Sequence, residues 1–353
     1  MEWRFRIVAL VVAGAVLLSG GLDAAQSDNN TTTAQVAGMT LDDWKFRRLE
    51  LVREWRETLG TFPERPALNL QIVSTTTESD HIRKLVRYQT EKGVWTDAFL
   101  LVPPNAAFPT PAAVVFHGTS KNHILQPAGL ADAPTRHLAL HLVRRGYIAI
   151  APRCFIYGEA DESATTCPAT PEKSFADYQK AAGSLLSRKP GWTGMGKMLW
   201  DGMRAVDVLE SLPEVNRERI ICAGHSLGAK QSLYLAAFDE RIRAAVFSEG
   251  GVGLKQSNWE APWYLGQRMP DPAKRDHDQL LQLIAPRVII IAGGGSADGP
   301  ESAQVVARAI PVFQMYSRKN SLVLQMHQGG HDFPDSERIK AFELVDRLVT
   351  RPE

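Results

Sequence analysis

Residues Ile220-Ile221-Cys222-Ala223-Gly224-His225-Ser226-Leu227-Gly228-Ala229-Lys230 set a G-x-S-x-G pentapeptide directly after an apolar run and directly before a helical segment that continues to about Phe238. Small residues cluster in many turns, so the context matters more than the pattern. At so tight a strand-to-helix turn the serine takes a strained backbone conformation that lifts its hydroxyl above the strand ends. Glycine two residues to either side avoids a collision. The following helix start aims backbone N–H groups at the same spot, where they can meet negative charge. Ser226 is therefore read as a nucleophile.

A serine hydroxyl needs a base to take its proton. Of nine histidines, His331 in Gly329-Gly330-His331-Asp332-Phe333-Pro334 follows the last strand-like run, Leu322 to Gln325, and precedes a final amphipathic helix with Phe342, Leu344, Val345 and Leu348. The chain order serine, acid, histidine puts the base there. His327 is the nearest competitor. His137 and His141 share one helix face and read as a surface pair, with metal binding as the other reading, and His277 reads as a loop tie.

The imidazole in turn needs a carboxylate. Asp298, in the loop Gly293-Gly294-Gly295-Ser296-Ala297-Asp298-Gly299 after the strand Val288 to Ile291, is the expected acid. Glu249, just after the strand Ala244 to Ser248, is the alternative acid; its other reading is a structural carboxylate accepting backbone N–H bonds in a glycine-rich turn. Glu301 stands third. Two N–H donors complete the set: Leu227, which follows the nucleophile, and Thr119 in Phe116-His117-Gly118-Thr119.

Outward from this centre the apolar pattern alternates strand and helix. Strands are expected near Val114 to Phe116, Tyr147 to Ala151, Arg219 to Ala223, Ala244 to Ser248, Val288 to Ile291 and Leu322 to Gln325. Three earlier runs, Leu68 to Ser74, Ile82 to Gln89 and Trp95 to Val102, lack helices between them and predict an antiparallel beginning. The fold class is α/β, with a mostly parallel central sheet of about eight strands and helices on both faces. Thr40 caps a helix that ends near Gly60.

The chain divides into a signal peptide at 1–25, a flexible leader at 26–39 and a single domain at 40–353 with an insertion at about 153–192. Arg4 and Arg6, the apolar run Ile7 to Leu18 and small residues up to Ala25 carry the export reading. An uncleaved anchor is the other reading. The run is short for a membrane span of about 20 residues, so no membrane span is expected in the mature protein. Lys plus Arg number 40 against 39 for Asp plus Glu, which leaves no single-sign field for a nucleic-acid backbone. Cys222 reads as a buried hydrophobe. Cys154 and Cys167 share one polar region and read as two free thiols, or as a pair in an oxidising compartment.

With these residues in place, the chain resembles the α/β-hydrolases of the dienelactone-hydrolase and acetyl-xylan-esterase-like group from about Ala112 onward. Beyond the Ser, acid and His positions the likeness rests on Ala151-Pro152-Arg153, Trp192-Thr193-Gly194-Met195, Ser226-Leu227-Gly228-Ala229-Lys230, Ser248-Glu249-Gly250-Gly251, Asn258-Trp259-Glu260-Ala261-Pro262-Trp263-Tyr264 and Ile284-Ala285-Pro286-Arg287. It implies metal-free hydrolysis of carboxylic esters through an acyl-enzyme, with no cofactor, in an exported, periplasmic or secreted protein. Dienelactone hydrolase itself has cysteine where Ser226 stands, so its own substrate does not carry over. Trp259, Trp263 and Tyr264 are expected to wall the substrate pocket, for a small-molecule or a polysaccharide ester; packing is their other reading. Trp192 and Trp200 read as core, with a lid as the alternative. Two rival functions are a serine peptidase of the prolyl-oligopeptidase type and a non-catalytic binding protein on the same scaffold.

Overall fold

The computed structural model describes residues 36, 38–104, 108–163 and 173–350. The signal segment, most of the leader and Cys167 lie outside the described residues.

Helix α1 (Leu41–Leu59) starts at Thr40, whose hydroxyl accepts from the Asp43 N–H while the Asp43 carboxylate accepts from the Thr40 N–H. Each partner satisfies a donor that a helix start would leave open. Trp44, Leu51, Trp55 and Leu59 recur at sevens and fours, which is one helical face, and all four are buried. Leu49, off that stripe, is exposed.

Strands β1 (Gln71–Thr77), β2 (Ile82–Glu91) and β3 (Val94–Val102) form the expected antiparallel start. β1 begins three residues later than the apolar run suggests. Asn69 takes left-handed backbone at φ 47°, and the Leu68 carbonyl instead accepts from the Gln89 N–H.

The remaining elements alternate. They are β4 (Thr110–Phe116), α2 (Leu138–Arg144), β5 (Ile148–Pro152), α3 (Phe175–Arg188), α4 (Gly194–Ser211), β6 (Val215–His225), α5 (Leu227–Phe238), β7 (Ile242–Ser248), α6 (Asp278–Ile284), β8 (Val288–Gly293), α7 (Ser302–Met315), β9 (Leu322–Met326) and α8 (Asp335–Thr350). They build a nine-stranded sheet in the order β1-β2-β3-β5-β4-β6-β7-β8-β9, parallel from β5 to β9.

Because successive side chains of a strand point to opposite faces, each parallel strand feeds two cores. Val114, Ile150, Cys222, Phe247 and Ile291 pack with α1, α4, α5, α6 and α7 on one face. Val115, Ala149, Ala223, Val246 and Ile290 pack with α2 and α8 on the other. Burial on both faces explains why these strands read as unbroken apolar runs. The carboxyl ends of β4, β6, β7 and β8 line up at one edge, where open parallel sheets place their ligand sites.

Trp192 and Trp200 form a small cluster with Leu185. Their indole N–H groups donate to the carbonyls of Thr61 and Thr90, so both are core residues that fasten the insertion to the body. Among the described residues no helix is long and apolar enough to cross a membrane.

Candidate active site

Ser226 is the single residue between β6 and α5, at φ 57° and ψ −118°. A non-glycine residue at positive φ carries a steric cost that surrounding contacts must offset. Here the offset is visible: the Ser226 N–H donates to the Ser248 carbonyl at 2.8 Å, and α5 begins at once on the far side. The flanking glycines are obligatory because backbones touch. A Cβ on Gly224 would lie 2.2 Å from the Gly228 carbonyl, and one on Gly228 would lie 2.2 Å from the Phe116 carbonyl oxygen.

His331 arrives on the loop between β9 and α8. Its Nε2 lies 3.0 Å from Ser226 Oγ, and its Nδ1 lies 3.4 Å from Glu249 Oε2. Glu249 is the first residue after β7 and, like Ser226, sits at positive φ, 55°. Its carboxylate is buried and also accepts from the Ala297 N–H at 2.7 Å and from the Gly294 N–H. Burial alone would push this carboxyl up, but the bonds from His331, Ala297 and Gly294 outweigh it and hold it below the ordinary range. An ionised carboxylate only accepts, so the imidazole presents N–H at Nδ1 and a lone pair at Nε2. That is the tautomer a proton acceptor from Ser226 requires.

The geometry corrects the expectation for Asp298. Its Oδ2 accepts from the N–H groups of Gly250 and Gly251 at 2.8 and 3.0 Å, and its Oδ1 from the Val252 N–H at 2.7 Å and the Ser302 hydroxyl at 3.1 Å. The loop after β8 folds back on itself, the Gly295 N–H donating to the Asp298 carbonyl, and this turns the side chain under the loop that carries Glu249. Burial and the nearby Glu249 push the Asp298 carboxyl up, against those hydrogen bonds. The two acids thus exchange the readings given them by sequence: Asp298 braces a glycine-rich turn, and Glu249 faces the imidazole. Neither His327 nor Glu301 stands in the relay; His327 instead accepts from the Gly329 N–H.

The turn after β4 lies against Ser226, since a Cβ on Gly118 would be 3.8 Å from the Ser226 Cβ. His117 locks that turn. Its Nδ1 bonds the Gly118 carbonyl at 2.8 Å and its Nε2 accepts from the Cys154 N–H at 3.1 Å. Both ring nitrogens are committed to a neutral ring, and burial lowers its pKa to about 4. Thr119 follows on the exposed rim, and Leu227 opens α5 directly after Ser226. His225 lies under His331, ring centroids 4.9 Å apart, with Nδ1 on the Ser248 hydroxyl; burial holds it neutral.

The expected aromatic wall divides. Trp259 is fully buried, donates to the Gly251 carbonyl and packs on Tyr234 and His277, so it belongs to the core beneath the site. Tyr264 is buried and packs against the rings of Trp259 and Trp263. Trp263 stacks on the exposed ring of Phe175 at 5.6 Å. Sequence reading did not single out Phe175, whose only signal is its place as the first residue of a helix in the insertion.

His277 is the tie it was read as, joining the Val252 carbonyl to the Tyr234 hydroxyl. Lys230, one turn into α5, was missed as an individual residue. Its ammonium lies 3.8 Å over the Trp259 ring and 4.9 Å from the Tyr264 ring, with no hydrogen-bond partner among the described residues. Cys154 is buried, which pushes its thiol up to about 12.

Known proteins share this arrangement of strands and helices. A glucuronoyl esterase from Solibacter usitatus superposes with a TM-score of 0.65 at 18% identity, over 87% of this chain and 93% of that one. A Bacteroides fragilis NCTC 9343 protein named for acetyl xylan esterase activity gives 0.65 at 18% identity, over 85% and 82%. At such identities the likeness is one of fold, and the fold is that of the α/β-hydrolases. In sequence, the chain is 22% identical over 206 residues to YtaP of Bacillus subtilis (strain 168), named a hydrolase; the match takes in 57% of this chain and spans about three fifths, 62%, of that protein's length. The model of the Abhydrolase family matches residues 23–252, the stretch that holds Ser226 and Glu249, and the chain belongs to that family.

Proposed function

We propose that the protein hydrolyses carboxylic esters through an acyl-serine, with Ser226 as nucleophile, His331 as general base and Glu249 as the acid that orients it. The observation that carries this reading is the relay of Ser226 Oγ to His331 Nε2 at 3.0 Å with His331 Nδ1 turned to Glu249. Ser226 attacks the ester carbonyl while its proton passes to Nε2. The resulting imidazolium is stabilised by the Glu249 carboxylate, which stays ionised because backbone N–H groups hold it so. The Leu227 N–H, at the start of α5, and the Thr119 N–H are the donors for the oxyanion. Nε2–H then protonates the departing alcohol, leaving an acyl-serine. The neutral imidazole next takes a proton from water as its oxygen bonds to the acyl carbon, and the proton on Nε2 then returns to Ser226 Oγ as the acyl–Oγ bond breaks and frees the acid. No step needs a metal or cofactor.

The structural neighbours named as acetyl xylan and glucuronoyl esterases support a polysaccharide ester as the substrate class to test. Half of the His331 side chain is exposed, which suits an ester carried by a bulky alcohol. Export rests on the composition of residues 1–25.

The test is labelling of the purified protein by a fluorophosphonate probe together with hydrolysis of 4-nitrophenyl acetate and acetylated xylan. The wild type is expected to label and turn over, and Ser226→Ala to do neither. Equal labelling of the alanine variant would refute the nucleophile assignment, and a wild type inert to both probe and esters would favour the non-catalytic reading.

A further inference from the structure

His331 stands on the loop between β9 and α8, and its side chain meets Ser226, Glu249 and the ring of His225. The base of the loop is pinned where the His327 N–H donates to the Gly293 carbonyl and the Gly330 N–H to the Gly294 carbonyl. Past the histidine, Phe333 is fully buried in the core under α8. Between these anchors the Asp332 N–H donates to the Gly330 carbonyl at 2.8 Å, while the carbonyl of the same peptide, that of His331, is held from outside the loop.

The holder is a short helical turn, Pro134–Arg136, before α2. Arg136 Nη2 donates to the His331 carbonyl oxygen at 2.6 Å, and Arg136 Nε donates to Asp332 Oδ1 at 3.1 Å. The Thr135 hydroxyl donates to the same Oδ1 at 2.8 Å. The turn is itself braced. Ala133 enters it in left-handed backbone at φ 70°, His137 Nε2 donates to the Ala131 carbonyl and His141 Nε2 donates to the Pro134 carbonyl. His137, which caps α2, and His141 within it thus stiffen the turn that presents Arg136.

We infer that Arg136, with Thr135 and Asp332, forms a clamp that fixes the backbone at His331 and so sets the reach of its imidazole to Ser226. These are positioning residues, since none of them touches the serine or the carbonyl under attack. A planar guanidinium matches the task because its Nε and Nη2 hydrogens leave in one plane toward two acceptors that neighbouring residues present side by side. The ammonium of lysine is a single point and cannot satisfy both at the same reach. An error of about 1 Å in a reacting group costs on the order of 100-fold in rate.

The inference rests on the reading of His331 as the base of Ser226, and the two can fail separately. The experiment is steady-state hydrolysis of 4-nitrophenyl acetate by the full chain, with thermal melting recorded for every variant. Arg136→Ala is expected to lose about 10- to 100-fold in kcat with KM within about twofold. Millimolar guanidinium is expected to restore part of the rate to Arg136→Ala and none to His331→Ala. Arg136→Lys is expected to keep the charge and stay slow. Should Arg136→Ala fail to fold, Asp332→Asn and Thr135→Val carry the test through the same kcat loss. Wild-type kcat in Arg136→Ala, or in the Asp332 and Thr135 variants where those carry the test, overturns the clamp, as does a kcat loss that guanidinium leaves untouched in a folded Arg136→Ala protein. A wild type that shows no turnover, or an active His331→Ala, overturns the underlying reading instead.

Discussion

The Oε2 atom of Glu249 lies 3.4 Å from Nδ1 of His331, whereas the carboxylate of Asp298 is spent on three backbone N–H groups and the Ser302 hydroxyl. Two acids that end adjacent strands therefore hold different duties. One faces the imidazole, and the other shapes the turn from which the first projects.

Exchanging each acid for its amide separates these duties. Glu249→Gln places an amide opposite Nδ1 that can donate, which favours the wrong tautomer; kcat is expected to fall about 100- to 10,000-fold. Asp298→Asn leaves at least one of the N–H groups at Gly250, Gly251 and Val252 without its acceptor, and is expected to cost about 1–3 kcal/mol of stability. Ester turnover and urea denaturation of both variants check this. A fall in kcat for Asp298→Asn larger than that for Glu249→Gln would reverse the assignment.

The elbow is fixed by backbone contact, and Gly228→Ala tests it. The added methyl would lie 2.2 Å from the Phe116 carbonyl oxygen and 3.0 Å from that of His117, both on rigid main chain. Either β4 or α5 must move, so a loss of about 3 kcal/mol or more, or failure to accumulate folded protein, is expected. Gly183→Ala, in α3 with open space at its Cβ, is the matched control and is expected to be neutral or stabilising by up to about 1 kcal/mol. Equal melting temperatures for the two variants would contradict the close approach.

Lys230 makes stability depend on pH in the alkaline direction. Burial lowers its pKa from 10.5 to about 7, with Asp298 and Glu260 acting the other way. A lysine depressed on folding binds its proton less tightly in the native than in the unfolded chain. Its penalty is therefore complete below about pH 7 and fades as pH climbs from 7 to 10.5, where the unfolded chain alone still holds the proton. Lys230→Met keeps the length and an aromatic contact without the charge. It is expected to be more stable than the wild type at pH 7 by on the order of 2–4 kcal/mol and to lack the wild-type rise toward pH 10. Denaturant midpoints at pH 6, 8 and 10 read both, and parallel curves for the two proteins would show that Lys230 is not the cause.

Much of the architecture was legible because its causes are local. Alternating apolar runs marked the strands from β4 to β9, the capping of α1 by Thr40 could be read from the residues that follow it, and α5 starts at Leu227 because the elbow forces it to. Ser226 and His331, proposed as nucleophile and base and 3.0 Å apart in the structure, were singled out by the same local grammar plus chain order. Where the reading slipped, a conformation had intervened that composition does not encode. Asn69 turns left-handed and delays β1, and Trp259 drops below the site because its indole N–H finds the Gly251 carbonyl.

The sequence by itself determined the order of strands and helices and the glycines at the elbow, and it pointed to Ser226 and His331 as the pair to propose, because each depends on periodicity or on residues within a few positions. Only the tertiary structure decided between Glu249 and Asp298, which sit 49 residues apart in equally glycine-rich turns, and it alone brought Arg136 to the carbonyl of a residue 195 positions away. Which way a carboxylate points, and which distant donor reaches a loop, depend on how the carboxyl ends of the parallel strands come into line, and no stretch of chain short enough to read by itself contains that information.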